Sequence, residues 1–264
     1  MKISVLCENT SSFPDLIPEH GLSLLLETDK EKILFDFGQT DAFFKNAGQM
    51  GISLNDADFA VLSHGHYDHG GGMGVFLSHN PTAPVYLSRY AFGEYYNAER
   101  KYIGLDKSLQ RIDRMIPTGE CTRISSTSSL FSCNIQHRPF GTNPYGLTEF
   151  TDEKYSNDRF LHEQYLLLRD RGKRILVSGC SHKGIENIVH WFKPDVLIGG
   201  FHQMKVDCSS HEGLNTLKAL SETLLRYDTV FYTCHCTGLP QLYILKSHMK
   251  ERLHSLSTGD VITL

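Results

Sequence analysis

The sequence has no long hydrophobic run. Its densest apolar stretch near the N-terminus, Leu22 to Leu26, is far short of the ~18 residues a membrane span needs. It also lacks a strong charge of either sign: 26 Lys+Arg against 30 Asp+Glu leave a net charge of −4. With no basic stripe, nucleic acid is not an expected partner, and with no polybasic block neither is a membrane surface. The opening MKISVLCENT reads as a strand, without the charged, apolar and small-residue segments of an export signal, so a cytoplasmic location is expected. Seven cysteines, at 7, 121, 133, 180, 208, 234 and 236, are odd in number and irregularly spaced, which argues for free thiols in a reducing compartment and against a disulfide framework. Internal repeats and low-complexity segments are missing too. What remains is 40% hydrophobic residues, enough for a core, and an unusual 14 histidines.

The chain length suits one domain, 1–264, with an elaborated segment at about 88–163 that is rich in Tyr and Arg. That segment is expected either to close over a site or to mediate a homodimer. Strands are expected at Lys2–Cys7, Leu22–Glu27, Lys32–Phe37, Asp58–Leu62, Val85–Leu87, Arg174–Ser178, Val196–Gly199 and Thr229–Thr233. Helices are expected at Ala42–Met50, Met73–Ser78, Asp106–Met115, Ile185–Phe192, Leu214–Tyr227 and Leu239–Leu253. Such alternation implies a layered α/β architecture.

The sharpest chemical signal is Ser63-His64-Gly65-His66-Tyr67-Asp68-His69-Gly70, directly after an apolar strand. In extended backbone, alternate side chains share a face, so His64, His66 and Asp68 can converge, and a turn into a helix can bring His69 beside them. Imidazoles and a carboxylate in this density suit Zn²⁺, with Mn²⁺ or Fe²⁺ as alternatives, and the four groups can serve two ions. A metal-free histidine-rich loop is the competing explanation, and it leaves a carboxylate and three imidazoles at a strand end without a purpose. Further donors are expected where later strands end in a small residue and histidine: Gly-Cys180-Ser-His182, Gly-Gly-Phe-His202 and Cys-His235-Cys. Cys234 and Cys236 flank His235 and are read as buried thiols. Asp36, after a buried strand, is expected to hydrogen-bond a ligand histidine.

The segment SHGHYDHGGG resembles the H-x-H-x-D-H signature of the metallo-β-lactamase superfamily. The wider set of LCENT, EHGLSLLLET, ILFDFGQT, SGCSHKGI, GGFH and CHCTG is similar to its subgroup of dihydropterin ribofuranosyl-aminobenzene 5′-phosphate synthases. The resemblance implies a four-layered αββα sandwich with a dinuclear metal site at one edge. It implies that His64, His66 and His182 hold the first metal and Asp68, His69 and His235 the second. The superfamily's G-D bridging aspartate is absent in familiar form, and Cys180 stands in its place, expected beside the ligands rather than among them.

The expected activity is attack of a metal-bound hydroxide on an ester, phosphoester or amide-like bond of a small anionic substrate, of pterin or ribosyl-phosphate type in the subgroup. Asp68 would orient the nucleophile, His202 would protonate the leaving group, and Arg89, Lys101 and Tyr102 would contact the anion. A synthase forming a carbon–nitrogen bond, a metal-stabilised effector without catalysis, and a diiron oxidoreductase are the alternatives. The last is disfavoured by His66, where that group has glutamate, and by the lack of a flavin domain in the sequence. His20, His79, His137, His190, His211, His248 and His254 have no motif context and read as structural or surface groups; Glu163 and Gln164, just before an apolar strand, could reach the metal edge, but Glu163 at a strand start reads as exposed.

Overall fold

The structure is a computed structural model and describes residues 1–264. The chain opens as an antiparallel meander of β1 (Lys2–Cys7), β2 (Ser23–Glu27) and β3 (Lys32–Phe35). Successive side chains face opposite sides of a strand, so a strand apolar at every position must be covered twice. On β2, Leu24 and Leu26 enter one apolar cluster and Leu25 another. Helix α1 (Ala42–Gln49) leads to β4 (Phe59–Val61), followed by the single turn α2 (Tyr67–Gly70), α3 (Met73–His79) and β5 (Val85–Ser88).

The segment 88–163 supplies strands to both main sheets. Its β6 (Tyr95–Tyr96) pairs outside the main body, β7 (Met115–Thr118) completes the first sheet beside β5, and β8 (Cys121–Arg123) and β9 (Ser128–Phe131) begin the second. The hairpin of β10 (Thr148–Thr151) and β11 (Lys154–Asn157) joins β6 in a separate three-stranded sheet. The helix expected over Asp106–Met115 is a 3₁₀ turn, Lys107–Arg111, because Met115 onward pairs in parallel with β5.

The regular pattern returns with β12 (Tyr165–Asp170), β13 (Lys173–Val177), α4 (Ile185–Phe192), β14 (Val196–Ile198), α5 (His211–Leu224), β15 (Val230–Thr233), α6 (Leu239–Met249), β16 (Leu253–Ser255) and β17 (Val261–Thr263). Helix α6 stops four residues earlier than its pattern suggests, since Leu253 pairs with Phe231 of β15. The two seven-stranded sheets run β17-β1-β2-β3-β4-β5-β7 and β16-β15-β14-β13-β12-β9-β8. Between them lies a cluster of 19 buried residues in which Ile3, Leu24 and Phe35 meet Leu166, Val177 and Ile198. A second cluster packs α1 and α3 on the outer face of the first sheet, and a third packs α4, α5 and α6 on the outer face of the second. The result is the expected αββα sandwich. No helix is long and apolar enough to cross a membrane.

This topology gathers strand ends. β3 and β4 are parallel neighbours, as are β13, β14 and β15, so the loops after all five emerge along one edge.

Candidate metal centre

Each loop at that edge delivers a side chain: Asp36 after β3, His64 to His69 after β4, Cys180 and His182 after β13, His202 after β14, and His235 after β15. Four of these places are left-handed at non-glycine residues, with φ of 60° at Asp36 and Ser181, 54° at His202 and 52° at His235. Such backbone costs about 1–3 kcal/mol each and persists where surrounding contacts demand it. Close approach explains Gly65 and Gly179. A Cβ at Gly65 would stand 2.1 Å from the Ala91 carbonyl oxygen, and one at Gly179 would stand 2.2 Å from Ser63 Oγ.

Two groups of donors face inward. His64, His66 and His182 offer ring nitrogens within 4.8 Å of one another, with His64 Nε2 3.2 Å from His182 Nε2. Beside them, His69 Nε2 lies 3.2 Å from His235 Nε2, and Asp68 Oδ2 lies 3.3 Å from His235 Nε2 and 3.8 Å from His69 Nε2. Donors held ~2.0–2.1 Å from one tetrahedral ion stand roughly 3.3 Å apart, so these spacings are those of shared ligation.

Neighbouring groups fix which nitrogens are free. His69 Nδ1 donates to Asp36 Oδ2 at 2.7 Å, and Asp36 also accepts from Ser63 N at 2.6 Å and Ser63 Oγ at 2.7 Å. His235 Nδ1 donates to Asn9 Oδ1 at 2.8 Å, while its backbone N–H donates to Glu8 Oε1 at 2.8 Å. In the neutral rings both Nε2 atoms therefore carry lone pairs, and two buried lone pairs 3.2 Å apart repel unless a cation or a proton stands between them. His66 Nε2 and His182 Nδ1 are buried with no hydrogen-bond partner at all. The donor set fits divalent metal binding. Zinc suits it, as would manganese or iron.

The electrostatics agree. Burial, reinforced by neighbouring rings, holds His64 and His182 well below the usual imidazole range, and burial lowers His66 as well. Burial opposes the charged form of His69 too, but the Asp36 and Asp68 carboxylates outweigh it and raise that ring to about 9. Burial pushes Asp68 up, and His69, His20 and His235 together reverse this and hold it well below the carboxylate range. In the metal-free protein the His69 proton takes the place of a cation.

Two pH effects follow by linkage. His69, raised in the folded state, contributes stability that is fully present below pH ~6.5 and is lost as the pH rises through about 9. His64, His66 and His182, lowered in the folded state, act oppositely, so the metal-free protein loses stability as the pH falls below ~6.5. Metal binding must also displace the His69 proton. Calorimetric titration in buffers of different ionisation enthalpy is expected to show the number of protons released falling by about one between pH 7.5 and 10. A constant number over that range would contradict protonation of His69 in the metal-free state.

Cys180 was expected beside the ligands. Its Sγ is 3.2 Å from His69 Nε2, and it groups with His64 and His69, with His182 and His202, and with His235 and Cys236. Cys236 turns toward the centre, donating to the Cys180 carbonyl at 3.4 Å and accepting from the His202 N–H at 3.3 Å, whereas Cys234 packs between the sheets. His202 is half-buried with both ring nitrogens unpartnered, its ring 4.3 Å from that of His182 and 5.4 Å from that of Tyr145. None of Arg89, Lys101 and Tyr102 hydrogen-bonds to a donor of the centre. Arg89 is exposed and donates to the Thr118 carbonyl, Lys101 is exposed, and the Tyr102 hydroxyl donates to the Leu105 carbonyl.

Several residues at the site were not legible as such. His20, read as structural or surface, places Nε2 3.3 Å from Asp68 Oδ2 with its ring 4.8 Å from that of His235. His162 accepts the Gly65 N–H on Nδ1 at 2.9 Å and meets Asp158 Oδ2 through Nε2 at 3.1 Å, bracing the His64–His66 turn. Glu163 is fully buried rather than exposed. It accepts from the His182 N–H at 2.6 Å and the Tyr165 hydroxyl at 2.6 Å. The signal available was the polar run His162-Glu163-Gln164, entering a strand apolar at four successive positions, where polar groups must be buried along with the strand.

Two cavities flank the centre. One of about 560 Å³ reaches His182 and His202 and includes Tyr145, Glu186, Asp207 and Glu212; no lysine or arginine lines it. The other, about 530 Å³, reaches His235 and includes Lys246.

The metallo-beta-lactamase superfamily model matches residues 16–208. An uncharacterized protein of Methanocaldococcus jannaschii is 28% identical over 91% of this chain and 92% of its own length. The 7,8-dihydropterin-6-methyl-4-(beta-D-ribofuranosyl)-aminobenzene-5'-phosphate synthase of the same organism is 26% identical over 99% and 96%. Among solved structures, a metal-dependent hydrolase of the beta-lactamase superfamily superposes with a TM-score of 0.80 at 28% identity, covering 100% of this chain and 99% of that one. Zn²⁺-bound PqqB of Methylobacterium extorquens, with a TM-score of 0.60, 12% identity and 100% coverage of both chains, shares the fold.

Proposed function

The chain belongs to the metallo-beta-lactamase superfamily, and on that footing we propose that it is a metal-dependent hydrolase cleaving an ester, phosphoester or amide-like bond of a small molecule. The observation that carries this reading is the opposed pair of ring nitrogens, His69 Nε2 and His235 Nε2, 3.2 Å apart and next to the His64–His66–His182 trio. Two divalent cations there would supply Lewis acidity and an acidified water. The chain's own groups do the rest. His64, His66 and His182 would hold one ion and Asp68, His69 and His235 the other. Asp36 and Asn9 keep the His69 and His235 rings presenting Nε2. Asp68, held ionised, is suited to ligation and to orienting the attacking oxygen, and too weakly basic to retain its proton.

His202, with unpartnered ring nitrogens on the wall of the larger cavity, is the group placed to protonate a leaving group. That cavity has no cationic side chain, so an anionic substrate would present its charge to the cations and its neutral portion to Tyr145 and the cavity wall. Metal-loaded protein assayed on lactones, aryl esters, phosphodiesters and phosphomonoesters should turn over at least one class. His202→Ala should then lower kcat by roughly 10²-fold, with the loss larger for poorer leaving groups. Uniform inactivity across the panel would reject the hydrolase reading, and a loss independent of the leaving group would remove His202 as the acid.

A second reading is favoured by the presence of two cavities, one reaching His182 and His202 and the other His235, which offers room for two substrates. It is a synthase, as the 26% identical relative is named. Pterin and aminobenzene ribotide incubated with the metal-loaded protein would condense under this reading and remain unchanged otherwise.

A further inference from the structure

We propose that Asp158, braced by His162, is a positioning residue for the centre: its carboxylate accepts from His66 Nε2 and so decides which nitrogen of that ring faces the other donors. This rests on reading the cluster as a metal site. It goes beyond that reading in giving the elaborated segment a part in building the site.

The argument is one of hydrogen-bond accounting. Asp158 is only 5% exposed, so its oxygens must find donors within the chain. Oδ1 accepts the Phe160 N–H at 2.6 Å, and Oδ2 lies 3.1 Å from His162 Nε2. The His162 tautomer is fixed from its far side, where Nδ1 accepts the Gly65 N–H at 2.9 Å and must carry the lone pair. His162 Nε2 therefore donates, and Oδ2 has room for a second donor. His66 Nε2 is buried without a partner and stands 3.9 Å from that oxygen, about 1 Å beyond an ideal hydrogen bond. A small turn of the His66 ring closes the gap and satisfies both groups. His66 then carries its hydrogen on Nε2 and its lone pair on Nδ1. Three other rings are held the opposite way: Nδ1 of His64 meets Ser63, that of His69 meets Asp36 and that of His235 meets Asn9, so each presents Nε2. The segment carrying Asp158 is itself tied to the first trio. Phe160 is left-handed with φ of 55° and stacks on His182 with ring centroids 4.6 Å apart, and Glu163 accepts the His182 N–H. A carboxylate behind a ligating imidazole fixes the ring and raises its basicity.

The test titrates Zn²⁺ into the metal-free full-length chain against a competing chelator and reads the histidine ring nitrogens by nitrogen-15 magnetic resonance, with no substrate present. In the zinc-loaded wild type, His66 is expected to keep its hydrogen on Nε2 and to bind through Nδ1, its signals being those lost in His66→Gln. Asp158→Asn is expected to weaken zinc binding ~10–100-fold, because with its oxygen kept for Phe160 the amide turns N–H₂ toward His66. Asp158→Glu, which keeps the charge on a longer arm, should recover most of that affinity. A role in packing alone predicts the reverse order, since asparagine matches the shape of aspartate and glutamate does not. Wild-type affinity in Asp158→Asn, or a larger loss in Asp158→Glu than in Asp158→Asn, would overturn this assignment alone. So would His66 bound through Nε2, a measurement on the wild type that decides the matter even where a variant folds poorly. Failure of the wild type to bind zinc would overturn the metal reading and this inference together.

Discussion

Alanine at Asp36 is expected to destabilise the protein by about 3–5 kcal/mol, because it strands buried donors that have no route to water. Asp36 is fully buried and accepts three bonds, from the Ser63 N–H at 2.6 Å, the Ser63 hydroxyl at 2.7 Å and His69 Nδ1 at 2.7 Å. For a chain of this size the loss corresponds to a drop in Tm on the order of 10 °C. Metal affinity at the second site should fall ~10–100-fold, since nothing then keeps the His69 ring turned with Nε2 inward. Asparagine separates the two effects. Its amide fills the space and can still accept from Ser63, so the stability loss shrinks, but an amide N–H₂ facing Nδ1 selects the tautomer with hydrogen on Nε2, which cannot ligate. Thermal unfolding and competitive chelation on both variants measure the pair of quantities. Asp36→Asn binding metal as tightly as the wild type would show that Asp36 serves the fold alone.

Removal of the His64 imidazole is expected to lower bound metal from about two equivalents to about one and to cut turnover at least ~10³-fold, the factor that several kcal/mol of lost charge stabilisation represents. His64 is the hinge of the first trio. Its Nε2 faces His182, its ring lies 4.6 Å from that of His66, and its Nδ1 is held by Ser63 Oγ at 2.8 Å. Elemental analysis of His64→Ala beside the rate tests this. Full metal content with unchanged turnover would place the first cation elsewhere.

How much of this was visible beforehand varies with the range of the interaction. The strand Lys2–Cys7 and the helix Ile185–Phe192 were legible to the residue, because apolar periodicity and adjacent turn chemistry are local. The helix expected over Asp106–Met115 was not formed, because pairing of Met115–Thr118 with β5 is a long-range contact that local spacing does not reveal. The same division runs through the centre. The histidines of SHGHYDH could be read from their density in six positions, and His182 and His235 from their place just past strands. His20 and His162 sit in segments without a dense pattern, and only the closing of β1 and β2 against α2, or of the run before β12 against the Gly65 turn, brings them to the site.

What the amino-acid order determined by itself is the layered α/β class, the strand-end histidine motif and, through them, the superfamily, since each depends on residues close together along the chain. Which nitrogens face one another, that Cys180 stands between both donor groups, that Glu163 is buried under His182, and that Arg89, Lys101 and Tyr102 lie apart from both cavities were decided only by tertiary structure. The physical reason is that ligation depends on distances of a few ångströms between side chains contributed by five different strand ends. Those distances are set by sheet register and twist summed across the whole sandwich, which no single stretch of sequence encodes.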